Sequence, residues 1–207
     1  MTFSASELGQ LKQAAITEEV LPAIRERWSP RSFSNREVSL ADLRKVFEAA
    51  RWAPSSYNEQ PWRFVVGLQG SETYRKIGSA LLPFNQTWAS KAPVLILGTA
   101  RKHFSHNNTP NGFALFDLGA ASGFITLQAR VLGLATHQMG GFDKAIARDA
   151  LGIPEEFEIG SVMALGYQGE PSALQNEQLI AQETSPRTRK ALGEIVLSAW
   201  GEAAKLG

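Results

Sequence analysis

Residues 53–62 read Ala53-Pro54-Ser55-Ser56-Tyr57-Asn58-Glu59-Gln60-Pro61-Trp62. They lie between a helical run and a short β-type run, Arg63-Phe64-Val65-Val66. Pro54 and Pro61 each lack a backbone N–H and fix φ, so they keep helix and strand out of the stretch. Between them stand two hydroxyls, Ser55 and Ser56, and two amides, Asn58 and Gln60. None of these four is a strong acid, a base or a soft metal ligand. Such a loop suits a neutral, flat, heteroatom-rich ligand better than proton-transfer chemistry. A plain polar helix-to-strand connection has the same composition.

Outward from this loop the chain alternates helices and strands. On the N-terminal side, Ser39 is a natural N-cap with Asp42 three residues on, a weaker form of the capping box. Val38 and Leu43 sit at staple positions, and Leu40, Leu43, Val46, Phe47 and Ala50 form an apolar stripe. Further back, residues from about Glu18 to Arg27 read as helix, with Val20, Leu21, Ile24 and Trp28 on one side and Pro22 acceptable only in the first turn. On the C-terminal side a strand is expected at about 63–67, then a helix near Thr73–Leu81 whose polar exit is Phe84-Asn85-Gln86-Thr87. The apolar run after Pro93, up to Gly98, reads as a buried strand. Residues 101–112 are the most polar stretch, expected to be a mobile loop over a pocket. His103 and His106 there lack the carboxylate or third histidine that a metal would need. Residues 113–132 form an apolar helix nearly all round, which reads as buried, with Gly119, Ala120 and Gly123 as flat packing patches and Gly133 as its C-terminal cap. Its length suggests a dimer core. Gly140 and Gly141 precede a helix at 143–151, and Ile159–Leu165 reads as another strand. An apolar cluster at 192–200 suggests an arm.

The totals bound the function. The chain has 207 residues, enough for one domain, with 43% apolar and 20% charged residues. A single domain spanning 1–207 is expected, with an extension at about 1–16 and the arm at about 192–207. A net charge of +1 offers no basic field for nucleic acid or an anionic membrane. The absence of cysteine excludes disulfides and thiolate chemistry and suits a cytoplasmic setting. No apolar run is long enough to span a membrane, and the N-terminus lacks a signal-peptide layout. Neither a GxGxxG fingerprint nor a P-loop is present.

Two basic clusters complete the inventory. Arg27-Trp28-Ser29-Pro30-Arg31 places two guanidiniums around a hydroxyl, and Pro186-Arg187-Thr188-Arg189-Lys190 adds three cations. Guanidinium forks suit phosphate; solvated surface charge is the plainer reading.

Taken in order, these segments resemble the FMN-dependent nitroreductase superfamily over about residues 20–197. Ala53-Pro54-Ser55, Asn58 and Gln60-Pro61-Trp62 match its A-P-S-x-x-N-x-Q-P-W element, and Arg27, Ser29, Arg31 and Phe33 match its R-x-S-x-[RK]-x-F motif. The resemblance implies an α+β, nitroreductase-like fold: a central, mainly antiparallel sheet flanked by helices, in an intertwined homodimer. It implies FMN held by Arg27, Ser29, Arg31, Arg187 and Arg189 at its phosphate, ribityl chain and ring edge. Pro54, Ser55, Ser56, Asn58 and Gln60 would reach it from the other subunit. Asn85 would meet the pyrimidine edge, and Gln138-Met139-Gly140-Gly141 would lie along the face and N5. His103, Phe104, His106 and Phe113 would form a substrate rim, with residues 101–112 as a lid. No side chain is implied as a catalytic acid or base. The activity implied is ping-pong transfer from NADH or NADPH to a nitroaromatic, quinone or related flat acceptor. Open alternatives are other chemistry on the same fold, such as dehalogenation or dehydrogenation, a flavin-binding protein without turnover, and an unrelated α+β domain that mimics the motifs.

Overall fold

The computed structural model describes residues 3–206. Its elements, in chain order, are helices α1 (Ala5–Leu11), α2 (Pro22–Glu26) and α3 (Leu40–Arg51), strand β1 (Trp62–Leu68), helices α4 (Glu72–Ala80) and α5 (Pro83–Ala89), strand β2 (Val94–Arg101) and helix α6 (Ala114–Val131). Strand β3 (Ala135–Met139), helix α7 (Lys144–Leu151), strand β4 (Phe157–Gly166), helices α8 (Glu177–Glu183) and α9 (Leu192–Ile195), and the small strands β5 (Leu197–Ala199) and β6 (Glu202–Ala203) follow.

The central sheet has the order β1-β2-β4-β3, and every pairing in it is antiparallel. This matches the expected α+β architecture. β2 is buried almost throughout, because both faces of the sheet are covered. Successive side chains point to opposite faces. Val94, Ile96 and Ala100 therefore pack with α3 and α6, while Leu95 and Leu97 pack with α4, α5, α7 and α8. Between the sheet and α6, Gly98 and Gly160 form a notch. A Cβ at Gly160 would come within 2.5 Å of Leu118 and one at Gly98 within 3.2 Å, so α6 sits on the strands through Leu118.

Local chemistry sets most boundaries. Ser39 accepts the Asp42 N–H at 3.0 Å to start α3, and Val38 and Leu43 are buried together. Gly133 at φ 73° ends α6, and Gly152 at φ 63° ends α7. These left-handed conformations strain most side chains.

Several expectations need correction. The helix foreseen from Glu18 begins at Pro22, which occupies its first turn. Leu21 and Ile24 are exposed rather than packed, and so is Leu40. The polar exit at 84–87 is helical: Pro83 is preorganised for a first turn and opens α5. Residues 135–139 form an edge strand, because Thr136 and its neighbours pair with β4. Helix α1 has a full capping box between Ser4 and Glu7 and buries Leu8. Helix α6 is only half covered: Leu118 and Ile125 are buried, but Phe116 is 74% exposed and Val131 69%. Residues 101–112 are an organised loop rather than a loose one. Phe104 and Asn111 are buried, and backbone bonds from Phe104 N to Thr109 O (2.9 Å) and from Asn111 N to Lys102 O (2.7 Å) close it on itself.

Candidate functional site

The structure divides the residues expected to form one site into two groups. β1 and β3 are the two edge strands of the sheet, about 14 Å apart at the usual strand spacing. The 53–62 loop leads into β1, and Gly140 and Gly141 follow β3.

At the β3 edge, Asn85 on α5 donates its Nδ2 to the Gly141 carbonyl at 2.9 Å. A Cβ at Gly141 would lie 2.7 Å from that nitrogen, so glycine lets α5 close on the turn. Gln138 is exposed, but the Met139 side chain is buried in the core. Strand alternation turns it inward, leaving only its backbone for a ligand. The Arg31 guanidinium stands 5.9 Å from the Phe84 ring centroid.

Three guanidiniums gather beside this edge. Burial, and then the Arg189 charge, depress the pKa of Arg27 below its ordinary value. Burial first, then Arg27 and Arg189, do the same to Arg187. Among the described residues, no carboxylate is ion-paired with any of the three; the adjacent Glu26 is paired with Arg130 at 2.8 Å. The Nε atoms of Arg27 and Arg187 are buried without a hydrogen-bond partner. Like charges held this close are stabilised by a polyanion. The terminal nitrogens of Arg187, however, already donate to the carbonyls of Arg25, at 2.6 Å, and Arg27. Arg187 therefore fixes the Arg27 backbone, while the exposed Arg189 bonds its neighbour's carbonyl, Thr188 O. Ser29 is exposed on the same segment.

At the β1 edge the loop is wound tightly. Tyr57, Asn58 and Gln60 have φ of 51°, 54° and 50°. Asn tolerates this left-handed region, whereas Tyr and Gln rarely adopt it. Gln60 N donates to Ser55 Oγ at 3.0 Å, Gln60 Nε2 to Asn58 O at 3.0 Å, and Ser56 N to the buried Asp117 carboxylate on α6 at 3.1 Å. Pro54 is exposed. The Glu59 carboxylate accepts both the N–H and the hydroxyl of Ser105, at 2.9 and 3.0 Å, and so ties this loop to the 101–112 loop. The Tyr57 ring is 84% exposed and stands edge-on to Phe104 at 5.6 Å, with His106 behind it at 6.0 Å. His103 pairs across the loop with Pro110. Phe113 is exposed and packs edge-on against Phe116 at 6.4 Å. Of the expected rim, Phe104 and His106 therefore join the 53–62 loop, while Phe113 belongs with α6.

The sequence profile of the Nitroreductase family matches residues 24–85 and 68–167. The chain belongs to the nitroreductase family. Among family relatives, it is 34% identical over 154 residues to the "Putative NADH dehydrogenase/NAD(P)H nitroreductase" of Archaeoglobus fulgidus, covering 72% of this chain and 86% of that protein. It is 28% identical over 176 residues to the NADH dehydrogenase of Thermus thermophilus, covering 70% and 84%. A crystal structure described as an oxidoreductase containing FMN superposes with a TM-score of 0.84 at 34% identity, over 90% of this chain and 94% of that one. The nitroreductase fold thus places both edge loops of this chain at the ends of a sheet it shares with its relatives. Among the described residues, no helix is long and apolar enough to cross a membrane.

Sequence reasoning did not single out His137, which bonds the loop between the first two arginines. Its Nδ1 lies 2.9 Å from Pro30 O and its ring 4.5 Å from that of Trp88. Burial lowers its pKa to about 4. The unfolded chain, with histidine near 6.5, takes up this proton first as pH falls. Stability therefore drops between pH 6.5 and about 4, and is unaffected by this group above that window. The loss reaches roughly 3 kcal/mol at most. His137→Gln should flatten that part of the stability–pH curve in urea titrations; a curve parallel to wild type would remove His137 as the cause.

Proposed function

We propose that this chain is an FMN-dependent oxidoreductase. It takes reducing equivalents from NADH or NADPH and passes them, by a ping-pong sequence, to nitroaromatics, quinones or related flat acceptors. The observation that carries this reading is the convergence of Arg27, Arg187 and Arg189, none of them ion-paired with a carboxylate among the described residues, beside a turn whose donors are backbone and amide groups. That donor set fits a flavin mononucleotide: cations for the phosphate, neutral polar groups for the ring edges. FMN, when bound, supplies the centre that accepts and donates hydride. The chain binds the phosphate through Arg27 and Arg189 and holds a fixed positive charge at the ring edge through Arg31. Through Asn85 and Gly141 it shapes the polar wall. The nicotinamide donor and the acceptor use one cleft in turn.

The reading includes a homodimer. The two groups of site residues lie on opposite sheet edges, and α6 between them presents Phe116, Leu115, Phe124 and Val131 to solvent. Beside these, Gly119 and Gly123 have open space. A large apolar face of this kind marks an interface. A second copy covering it brings the Ser55–Gln60 loop of one chain to the arginines of the other.

The test is optical. The purified chain should be yellow, with one FMN per subunit, and should bleach with NADH or NADPH under anaerobic conditions. A quinone or nitroaromatic should then restore the colour. A colourless protein that does not take up added FMN refutes the proposal; a yellow one that no nicotinamide bleaches is a flavin carrier.

Acceptor choice is assigned to the joined loops at the β1 edge. Phe104 supports the projecting Tyr57 ring, and an aromatic pair is worth about 0.5–1.5 kcal/mol. Phe104→Ala should shift the ratio of kcat/KM between a small and a large acceptor by roughly 2- to 10-fold. Flavin content and the rate of bleaching by nicotinamide should stay the same. An unchanged ratio removes Phe104 from acceptor selection.

A further inference from the structure

Segment 25–32 carries Arg27, Ser29 and Arg31, yet little of it is regular structure. Helix α2 has only five residues, and no helix follows it until Leu40. The segment is held from outside by the two ends of the chain. The Glu183 carboxylate, at the end of α8, is 1% exposed. It accepts the Arg31 N–H at 3.0 and 3.2 Å and the Ser32 N–H at 3.0 Å. Lys12, just beyond α1, is 4% exposed. Its ammonium donates to the carbonyls of Gln182, at 3.2 Å, and Ser185, on either side of Glu183. The same ammonium lies 4.5 Å from the Trp28 ring centroid.

We infer that Lys12 and Glu183 are positioning residues for the phosphate end of the cofactor cleft; this rests on the flavin reading above. Lys12 holds the last turn of α8, where free carbonyls welcome a cation. That turn aims the Glu183 carboxylate at two adjacent backbone N–H groups. A charge-assisted bond to each fixes the path of residues 31–32, and the cation–π contact fixes Trp28. Arg27 and Ser29 lie between and beside these two anchors. A buried charged pair gives little net stability compared with apolar groups of similar size. Its use here is geometric: it sets where the guanidiniums stand. Lys12 and Glu183 are buried and direct their polar atoms at backbone groups, so each is assigned a positioning role and not a catalytic one.

A structural role and a positioning role separate through the ligand. FMN and riboflavin share the ring and ribityl chain and differ in the phosphate. Affinities for both would be measured by fluorescence quenching on the full-length apoprotein. The chains compared are wild type, Lys12→Met, Lys12→Arg and Glu183→Gln. The inference expects Lys12→Met to weaken FMN binding by about tenfold or more while riboflavin affinity changes little; Glu183→Gln, which also loosens Arg31 at the ring edge, should weaken both flavins, FMN the more. Lys12→Arg, which keeps a cation for the carbonyls and for Trp28, should restore much of the FMN preference. Lys12→Met replaces the long stem with an apolar one of similar size, so it carries the test even where Glu183→Gln does not fold. An FMN-to-riboflavin affinity ratio equal to that of wild type in Lys12→Met overturns the inference, whatever happens to thermal stability. So does an equal fall in affinity for both flavins. A wild-type chain that binds neither flavin overturns the flavin reading itself, and this inference with it.

Discussion

Phe116→Asp should yield a chain that runs near its monomer mass of 22.6 kDa in light scattering and purifies without flavin. Phe116 is 74% exposed at the first turns of α6, next to Phe113 and with Gly119 open beside it. In the proposed dimer this ring is buried against a second copy. A carboxylate there would lose its hydration without gaining a partner, a cost of several kcal/mol on each side of a symmetric interface. Separation removes the Ser55–Gln60 loop of one chain from the arginines of the other, so flavin retention falls with it. The α3 and Leu118 contacts of α6 lie on its opposite face, so each chain should still fold. A dimeric Phe116→Asp variant with full colour would show that α6 does not form the interface.

Arg27→Ala should weaken FMN binding by about 1.5–3 kcal/mol, the range for hydrogen bonds to charged groups, while riboflavin binding stays near its wild-type value. Arg187 spends its terminal nitrogens on backbone carbonyls and Arg189 is exposed, which leaves Arg27 as the half-buried guanidinium turned to the ligand in this reading. Its backbone carbonyl is held by Arg187 and its Nε is buried without a partner. The repulsion among Arg27, Arg187 and Arg189 means that the variant apoprotein loses no attractive ion pair. Any fall in FMN affinity is then a loss to the ligand, not to the fold. Isothermal titration with both flavins checks it. Equal affinity of wild type and variant for FMN would move the phosphate away from this cluster.

How much of this was legible beforehand depended on whether the cause was local. Ser39 with Asp42, Gly133 and Gly152 announce helix ends by chemistry that acts within four residues, and the structure places caps at each. The buried strands β2 and β4 were legible as short apolar runs. α5 was not, because Asn85-Gln86-Thr87 looks like a loop unless Pro83 is read as a first-turn residue. β3 was masked by the two glycines after it, and its pairing with β4 is a tertiary fact. α1 is too short for periodicity; only the Ser4–Glu7 spacing could have revealed it. The same limit divides the candidate site. The arginines and the 53–62 loop stand out because their residue types cluster in sequence. Lys12 and Glu183 do not, since 171 positions separate them and each meets its partners only after folding. One signal was available: each follows a buried leucine, Leu8 and Leu179, by four residues, which puts a charge on the inward face of a helix. Met139 shows the converse. Its place in a motif drew attention to the side chain, but strand alternation sent that side chain to the core.

In the proposed dimer, the placement of the two loops on opposite edges of one sheet makes activity a matter of mass action. On that proposal a lone chain carries two half-sites on separate sheet edges, so the number of complete clefts follows the number of pairs rather than the number of chains. Specific activity would therefore decline on dilution, and added cofactor, by favouring the paired state, would offset the decline. Cofactor supply and protein abundance then act on the same equilibrium. A cell holding little of either would carry folded chains that cannot turn over.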